Sequence, residues 1–128
     1  MTIQNSPVKL KDTEAEKTII AGLLKDLNKI DKVLLNCNPT YFTEPMYRNL
    51  FKIITQTYTR HGSLVTNDFL SNCLEGNGYT QEVRLVYLKA FDELSKIEVN
   101  NAEFGFAVSA IRKAFISSEV SDILTSYP

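Results

Sequence analysis

The chain has 128 residues, 44% of them hydrophobic, with seven Phe, six Tyr and no Trp, which suits one domain built on a single core. Fourteen Lys or Arg against 15 Asp or Glu leave a net charge of −1, which argues against a dedicated nucleic-acid binder with its strongly basic face. One His and two distant cysteines, Cys37 and Cys73, cannot assemble a metal-ligand set of the usual spacing.

Residues 1–11 read as a polar, loose lead with no secretory h-region. Asp12 or Thr13 can cap a first helix, with Glu14 and Glu16 in its first turn, where the helix dipole favours carboxylates. Ala15, Ile19, Ile20, Leu23, Leu24 and Leu27 then share one helical face. Gly22 inside this helix costs about 1 kcal/mol relative to alanine, so a second helix is expected to pack closely over it. Lys25, Lys29 and Lys32 follow at i, i+4 and i+7 and read as a solvated basic face.

Ile30, Val33 and Leu34 make a short second helix, broken between Asn36 and Thr40 with Pro39 as the stop. Tyr41 and Phe42 are expected to plug the core. Pro45 suits the first turn of a third helix carrying Met46, Tyr47, Leu50, Phe51, Ile54 and Tyr58, and Gly62 suits its C-terminal cap. Thr66 can cap a fourth helix holding Phe69, Leu70, Cys73 and Leu74, which Gly76-Asn77-Gly78 ends. Val83, Val86, Tyr87, Ala90, Phe91 and Leu94 form the cleanest helical stripe. Asn100 or Asn101 then caps a last helix from 102 to about 125, roughly 36 Å long at ~1.5 Å per residue.

No stretch alternates at period two. The expected fold is all-α with about six helices: a globular helical head over 12–78, then a long helical hairpin over 79–128, together one domain. A final helix this long outruns a compact core made from the first 75 residues. The hairpin is therefore expected to find its partner in another chain.

The motifs of catalysis are missing. No glycine-rich loop leads into Lys-Ser/Thr to hold phosphates, and no Gly-x-Ser-x-Gly occurs. His61 sits at a helix end beside Gly62, where capping or solvent contact explains it. Acidic pairs such as Glu14/Glu16 and Asp92/Glu93 read as helix solvation. Tyr41, Phe42, Tyr47, Tyr58, Tyr79 and Tyr87 could stack on bases, but they fit core stripes and lack a basic groove beside them. The longest apolar run is about six residues, far below the roughly 20 that a spanning helix needs. Two thiols outside any Cys-x-x-Cys suit a reducing interior, so the expected setting is a soluble, intracellular one.

The segments Asp12-Thr13-Glu14-Ala15-Glu16 through Leu23-Leu24-Lys25-Asp26, and Tyr41-Phe42-Thr43-Glu44-Pro45-Met46-Tyr47-Arg48-Asn49-Leu50-Phe51 through Tyr58-Thr59-Arg60-His61-Gly62 and Val65-Thr66, resemble the N-terminal domain of the bacterial replicative DNA helicase of the DnaB type. There a helix opening with Glu-Ala-Glu ends at an aspartate, and an aromatic pair leads into a helix closed by glycine. The resemblance covers roughly residues 12–125. Departures mark a divergent member: Tyr47-Arg48 stands in place of a His-Arg pair, Gly62-Ser63-Leu64-Val65-Thr66 in place of Gly-x-Pro-Ile-Asp, and Glu82-Val83-Arg84-Leu85-Val86 precedes Tyr87-Leu88 without a Gly-Gly.

The resemblance implies a non-catalytic domain that pairs through its hairpin, contributes to a hexameric collar and binds the C-terminal domain of primase. A helicase loader is a further partner it allows. ATP and Mg would belong to a separate ATPase domain, making this chain an excised domain of a cytoplasmic protein, or of one in an organelle of bacterial descent. The residues it marks for partner contact are Glu14 and Tyr87, with Val120, Ile123 and Leu124 for primase or a neighbouring subunit; Tyr87 fits core packing equally well. The alternatives are a stand-alone helical adaptor of phage or plasmid type and a primase C-terminal helicase-binding domain.

Overall fold

The computed structural model describes residues 12–126, with side chains as far as Glu119; the lead expected over 1–11 lies outside the described residues. The described chain is all-helical: α1 (Thr13–Leu23), α2 (Leu27–Asn36), a 3-10 turn η1 (Pro39–Tyr41), α3 (Pro45–His61), α4 (Asn67–Gly76), α5 (Gln81–Ser95) and α6 (Asn101–Ser126). The expected all-α class with about six helices is the one observed.

Local chemistry sets the helix ends. Asp12 caps α1 by accepting from the Ala15 N–H at 3.0 Å, and Thr66 caps α4 by accepting from Phe69 N–H at 3.2 Å. Pro45 stands at the start of α3, and Gly62 closes it in the left-handed region with φ 65°. Asn100 and Glu103 cap α6 reciprocally: Asn100 Oδ1 accepts from Glu103 N–H at 2.8 Å and Glu103 Oε1 from Asn100 N–H at 3.3 Å.

One boundary differs from the sequence reading. α1 stops at Leu23, and Asp26 starts α2 by accepting from Asn28 N–H at 2.9 Å. Leu27 therefore lies in α2, exposed, rather than on the buried face of α1. Leu34 is exposed too, while Ile30 and Val33 are buried.

α1 is the central element. Ile19, Ile20 and Leu23 are fully buried, and α2, α3, α5 and α6 all pack against it. The expected close approach over Gly22 is present: a Cβ there would stand 2.7 Å from Phe104 Cδ1 of α6. α5 rests on α4 and α1, and α6 runs along α1 and η1. The cover on α6 extends further than expected, since Tyr41 packs on Phe115 at 4.7 Å between ring centroids and Ser118 is buried. The bare glycine explains this: it lets the front half of α6 lie on the head instead of projecting from it.

Lys29 does not belong to a solvated face. It is 7% exposed, and its ammonium donates to Asp26 Oδ2 at 3.1 Å and Asn101 Oδ1 at 3.2 Å, 5.8 Å from the Phe104 ring centroid. Lys25 turns elsewhere, donating to Ile97 carbonyl oxygen at 2.7 Å, and it and Lys32 are exposed. The stripe is divided because the helix breaks between Lys25 and Lys29. The Lys29 ammonium, and after it the Asn28 amide, hold the Asp26 carboxyl below its ordinary value of 3.8.

Two predictions follow from this packing. Gly22→Ala gains about 1 kcal/mol of helix propensity but forces Phe104 out of place, so urea denaturation should show a net loss of about 1–2 kcal/mol. The loss should shrink when Phe104→Leu is added, and additive losses would refute the contact. Because the folded carboxyl titrates below 3.8, the stability Asp26 contributes is complete above that value and disappears as pH falls through its folded pKa. Asp26→Asn, which keeps the cap, should lower the urea midpoint at neutral pH and flatten the acid limb; an unchanged limb would count against the ion pair.

Candidate functional site

Two shallow grooves flank α3, about 230 and 390 Å³ in volume, sharing Ile53, Gln56 and Asn77 as walls. His61 and Cys73 line the smaller one. Burial pushes the Cys73 thiol up, which keeps it protonated, the reverse of what a Cys–His nucleophile needs. Cys37 is pushed up to about 12 by burial, and the two cysteines are free thiols. Among the described residues no three His, Cys, Asp or Glu side chains are placed to hold a metal ion, and no helix is long and apolar enough to cross a membrane.

The distinctive surface is acidic and grows from the junction of α1, α3 and α5. Its foundation is Glu16, which is 1% exposed. Its carboxylate accepts from Thr43 N–H at 3.1 Å, Glu44 N–H at 3.0 Å and Thr43 Oγ1 at 2.7 Å. These amides stand at the positive end of α3, where a carboxylate is favoured. On the other side of the same loop, Arg48 donates through Nε and Nη2 to the Phe42 carbonyl oxygen at 3.1 and 2.9 Å. The Phe42 ring is buried 4.8 Å from Phe51. Helix solvation therefore explains Glu14 but not Glu16, whose position two residues later turns it inward.

Glu14 itself is exposed at the front of α1. Tyr47 of α3 lies close by, half-buried. Burial first, then the carboxylates of Glu44, Glu14, Glu16 and Glu93, push its phenol above the ordinary value. The Glu14 and Glu93 side chains are open to solvent.

Tyr87 lies under this face and is 6% exposed. Its hydroxyl accepts from Asn49 Nδ2 at 2.9 Å, and the same amide donates to Tyr79 at 3.2 Å; the two tyrosine rings are 5.6 Å apart. Burial, offset by the Asn49 bond and reinforced by Tyr79 and Glu44, raises the Tyr87 phenol. The side chains of Val120, Ile123 and Leu124 lie outside the described residues.

The other aromatics have structural partners. Tyr41 packs on Phe115, and Tyr58 donates its hydroxyl to Asp31. On α5, Val83 and Val86 are exposed although they follow the core stripe, while Tyr87, Phe91 and Leu94 are buried. In the sequence Tyr47 was read as part of a core stripe and Glu93 as helix solvation, since no local pattern unites residues of α1, α3 and α5.

The family model described as the DnaB-like helicase N-terminal domain matches residues 8–104, and the chain belongs to that family. No curated protein and no solved structure matches it.

Glu16→Gln removes the charge from a buried acceptor held by three donors. Urea denaturation should show a loss of about 2 kcal/mol. Hydrogen exchange at the Thr43 and Glu44 amides should speed up more than exchange in α4, and uniform acceleration would mean that the carboxylate does not pin this loop.

Proposed function

We propose that this chain is the assembly and docking domain of a replicative DNA helicase, helping to form the hexameric collar and holding the C-terminal domain of primase against it so that unwinding is coupled to priming. The observation that supports this most is the family match over residues 8–104. On this reading the domain performs no chemistry, ATP and Mg belong to an ATPase domain, and a helicase loader is a further partner. Direct contact with nucleic acid is slight, and the place of action is the cytoplasm or an organelle interior of bacterial descent.

The acidic face supplies the docking chemistry. Exposed Glu14 and Glu93, with Glu44 and Tyr47 between them, suit a basic partner surface, and charge complementarity of this kind sets orientation and association rate. Tyr87 acts as a positioning residue: its bond to Asn49 ties α5 to α3. Val120, Ile123 and Leu124 serve primase or a neighbouring subunit at the end of α6.

Calorimetric titration with the C-terminal domain of primase from the same organism tests the proposal. Glu14→Lys and Glu93→Lys should each weaken binding by about tenfold, roughly 1.4 kcal/mol, and added salt should weaken the wild type. Tyr87→Phe, which keeps the ring but removes the hydroxyl that accepts from Asn49, should weaken binding less than either charge reversal, by about threefold. Absence of binding at high micromolar concentration, or binding indifferent to both charge reversals, would overturn the docking role.

A further inference from the structure

A second surface, between α2 and α6, is charged in the opposite sense. A groove of about 280 Å³ has Val33, Phe104 and Val108 as apolar walls, with the cations Lys32 of α2 and Arg112 of α6 beside them. Both cations are exposed, and among the described residues neither is in an ion pair. No acidic residue lines the groove, and Asp31, next to Lys32 in sequence, accepts from the Tyr58 hydroxyl. Polar groups complete the rim. Asn36 donates its Nδ2 to the Lys32 carbonyl oxygen at 3.0 Å, which leaves its Oδ1 as an acceptor, and Ser109 stands exposed on the α6 wall.

Gly105 belongs to the same wall, and packing within the chain does not explain it. A glycine inside a helix costs about 1 kcal/mol relative to alanine, and a Cβ here would meet nothing within 4 Å. Gly22, by contrast, is required by Phe104. What the missing side chain at Gly105 does is leave the groove open to solvent between α2 and α6. A destabilising residue with no packing reason inside the chain points to an occupant from outside it. Gly105 and Arg112 lie two turns apart on one face of α6, about 10 Å at ~1.5 Å per residue. An extended segment covers that distance with about three residues at ~3.3 Å each. The volume lies below the roughly 300–1,000 Å³ of small-molecule sites and suits one large apolar side chain of such a segment.

We infer that this groove binds a short acidic segment of another protein, which inserts one large apolar side chain between Val33 and Val108 and sets carboxylates against Lys32 and Arg112. Exposed ion pairs contribute little affinity, so the inserted side chain supplies the association. The two cations stand on separate helices and fix the direction and register of the segment. Single-stranded nucleic acid suits the groove less well. Phe104 is 4% exposed, so it offers no ring face for a base to stack on, and two cations are few for a polyanion. The inference goes beyond the docking of a basic partner at Glu14 and Glu93: this site selects the opposite charge and shares no residue with that face.

Fluorescence polarisation of the full chain with the labelled peptide Ser-Glu-Asp-Phe-Asp-Glu-Ser tests it, with circular dichroism confirming that each variant is folded. The wild type should bind with a Kd of about 10–500 µM. Peptides carrying Gln and Asn for the acids, or Ser for the Phe, should bind about tenfold more weakly or worse. Gly105→Met fills the groove where a side chain meets no obstacle. It should weaken binding by about tenfold or more while the urea midpoint stays at or above that of the wild type. Arg112→Glu should weaken binding by about tenfold, and Lys89→Glu, the same change of charge on α5, by less than about twofold. Amide shifts in nuclear magnetic resonance spectra on adding the peptide should centre on Asn36, Gly105 and Ser109. Absence of binding at about 1 mM peptide, equal affinity for the uncharged peptide, or indifference to Gly105→Met would overturn the site. An oligo-dT strand that binds in place of the peptide, and is weakened by Gly105→Met and Arg112→Glu, would assign the groove to nucleic acid and overturn the peptide reading.

Discussion

The constraint on which the architecture depends is the absence of a side chain at Gly22. With Phe104 standing 2.7 Å from the place a Cβ would occupy, α6 enters the core along α1 instead of crossing above it. That approach buries Lys29, and a buried ammonium is tolerable only with its hydrogen bonds satisfied. Asp26 and Asn101 meet the need. Asp26 also caps α2, and Asn101 follows the residue that caps α6. The close contact, the capping of two helices and the paired charge are thus one arrangement, and it ties the C-terminal helices to the head.

Glu16 does for α3 what Lys29 does for α6. A buried carboxylate with one donor would destabilise the fold; with three it links α1 to the loop ahead of α3. The inward turn of Glu16 leaves Glu14, two positions earlier, facing solvent. The loop it holds carries Glu44, and the next turn carries Tyr47. An interior charge therefore organises the exterior ones: the acidic face keeps its geometry because its foundation is a satisfied hydrogen-bond network instead of a mobile loop.

These two charges also mark where the sequence stops being readable. Helix ends were legible because capping is local: Asp12, Pro45, Gly62 and Thr66 act within one turn of themselves. Gly22 was legible because a glycine in a helix demands an explanation. Lys29 and Glu16 were not, since helical periodicity treats every charged residue as solvent-facing, and only the fold reveals the partners that permit burial. The same periodicity placed Val83 and Val86 with the core, because it cannot distinguish a face covered within the chain from one left open. At the candidate site, Glu14 was visible through family resemblance, whereas Glu44, Tyr47 and Glu93 belong to helices that meet only in three dimensions. Tyr87 was read as either a partner contact or core packing, and the fold buries it.

A net charge of −1 conceals the segregation of charge that the fold achieves. Carboxylates gather around Tyr47, while Lys32 and Arg112 stand beside an apolar groove. Under the proposed docking role, keeping such surfaces apart gives specificity, because selectivity depends on rejecting the wrong partner as much as on holding the right one. A basic partner suited to Glu14 and Glu93 is repelled at the α2–α6 groove. Because both surfaces are exposed, ionic strength weakens any charge-guided association at either one.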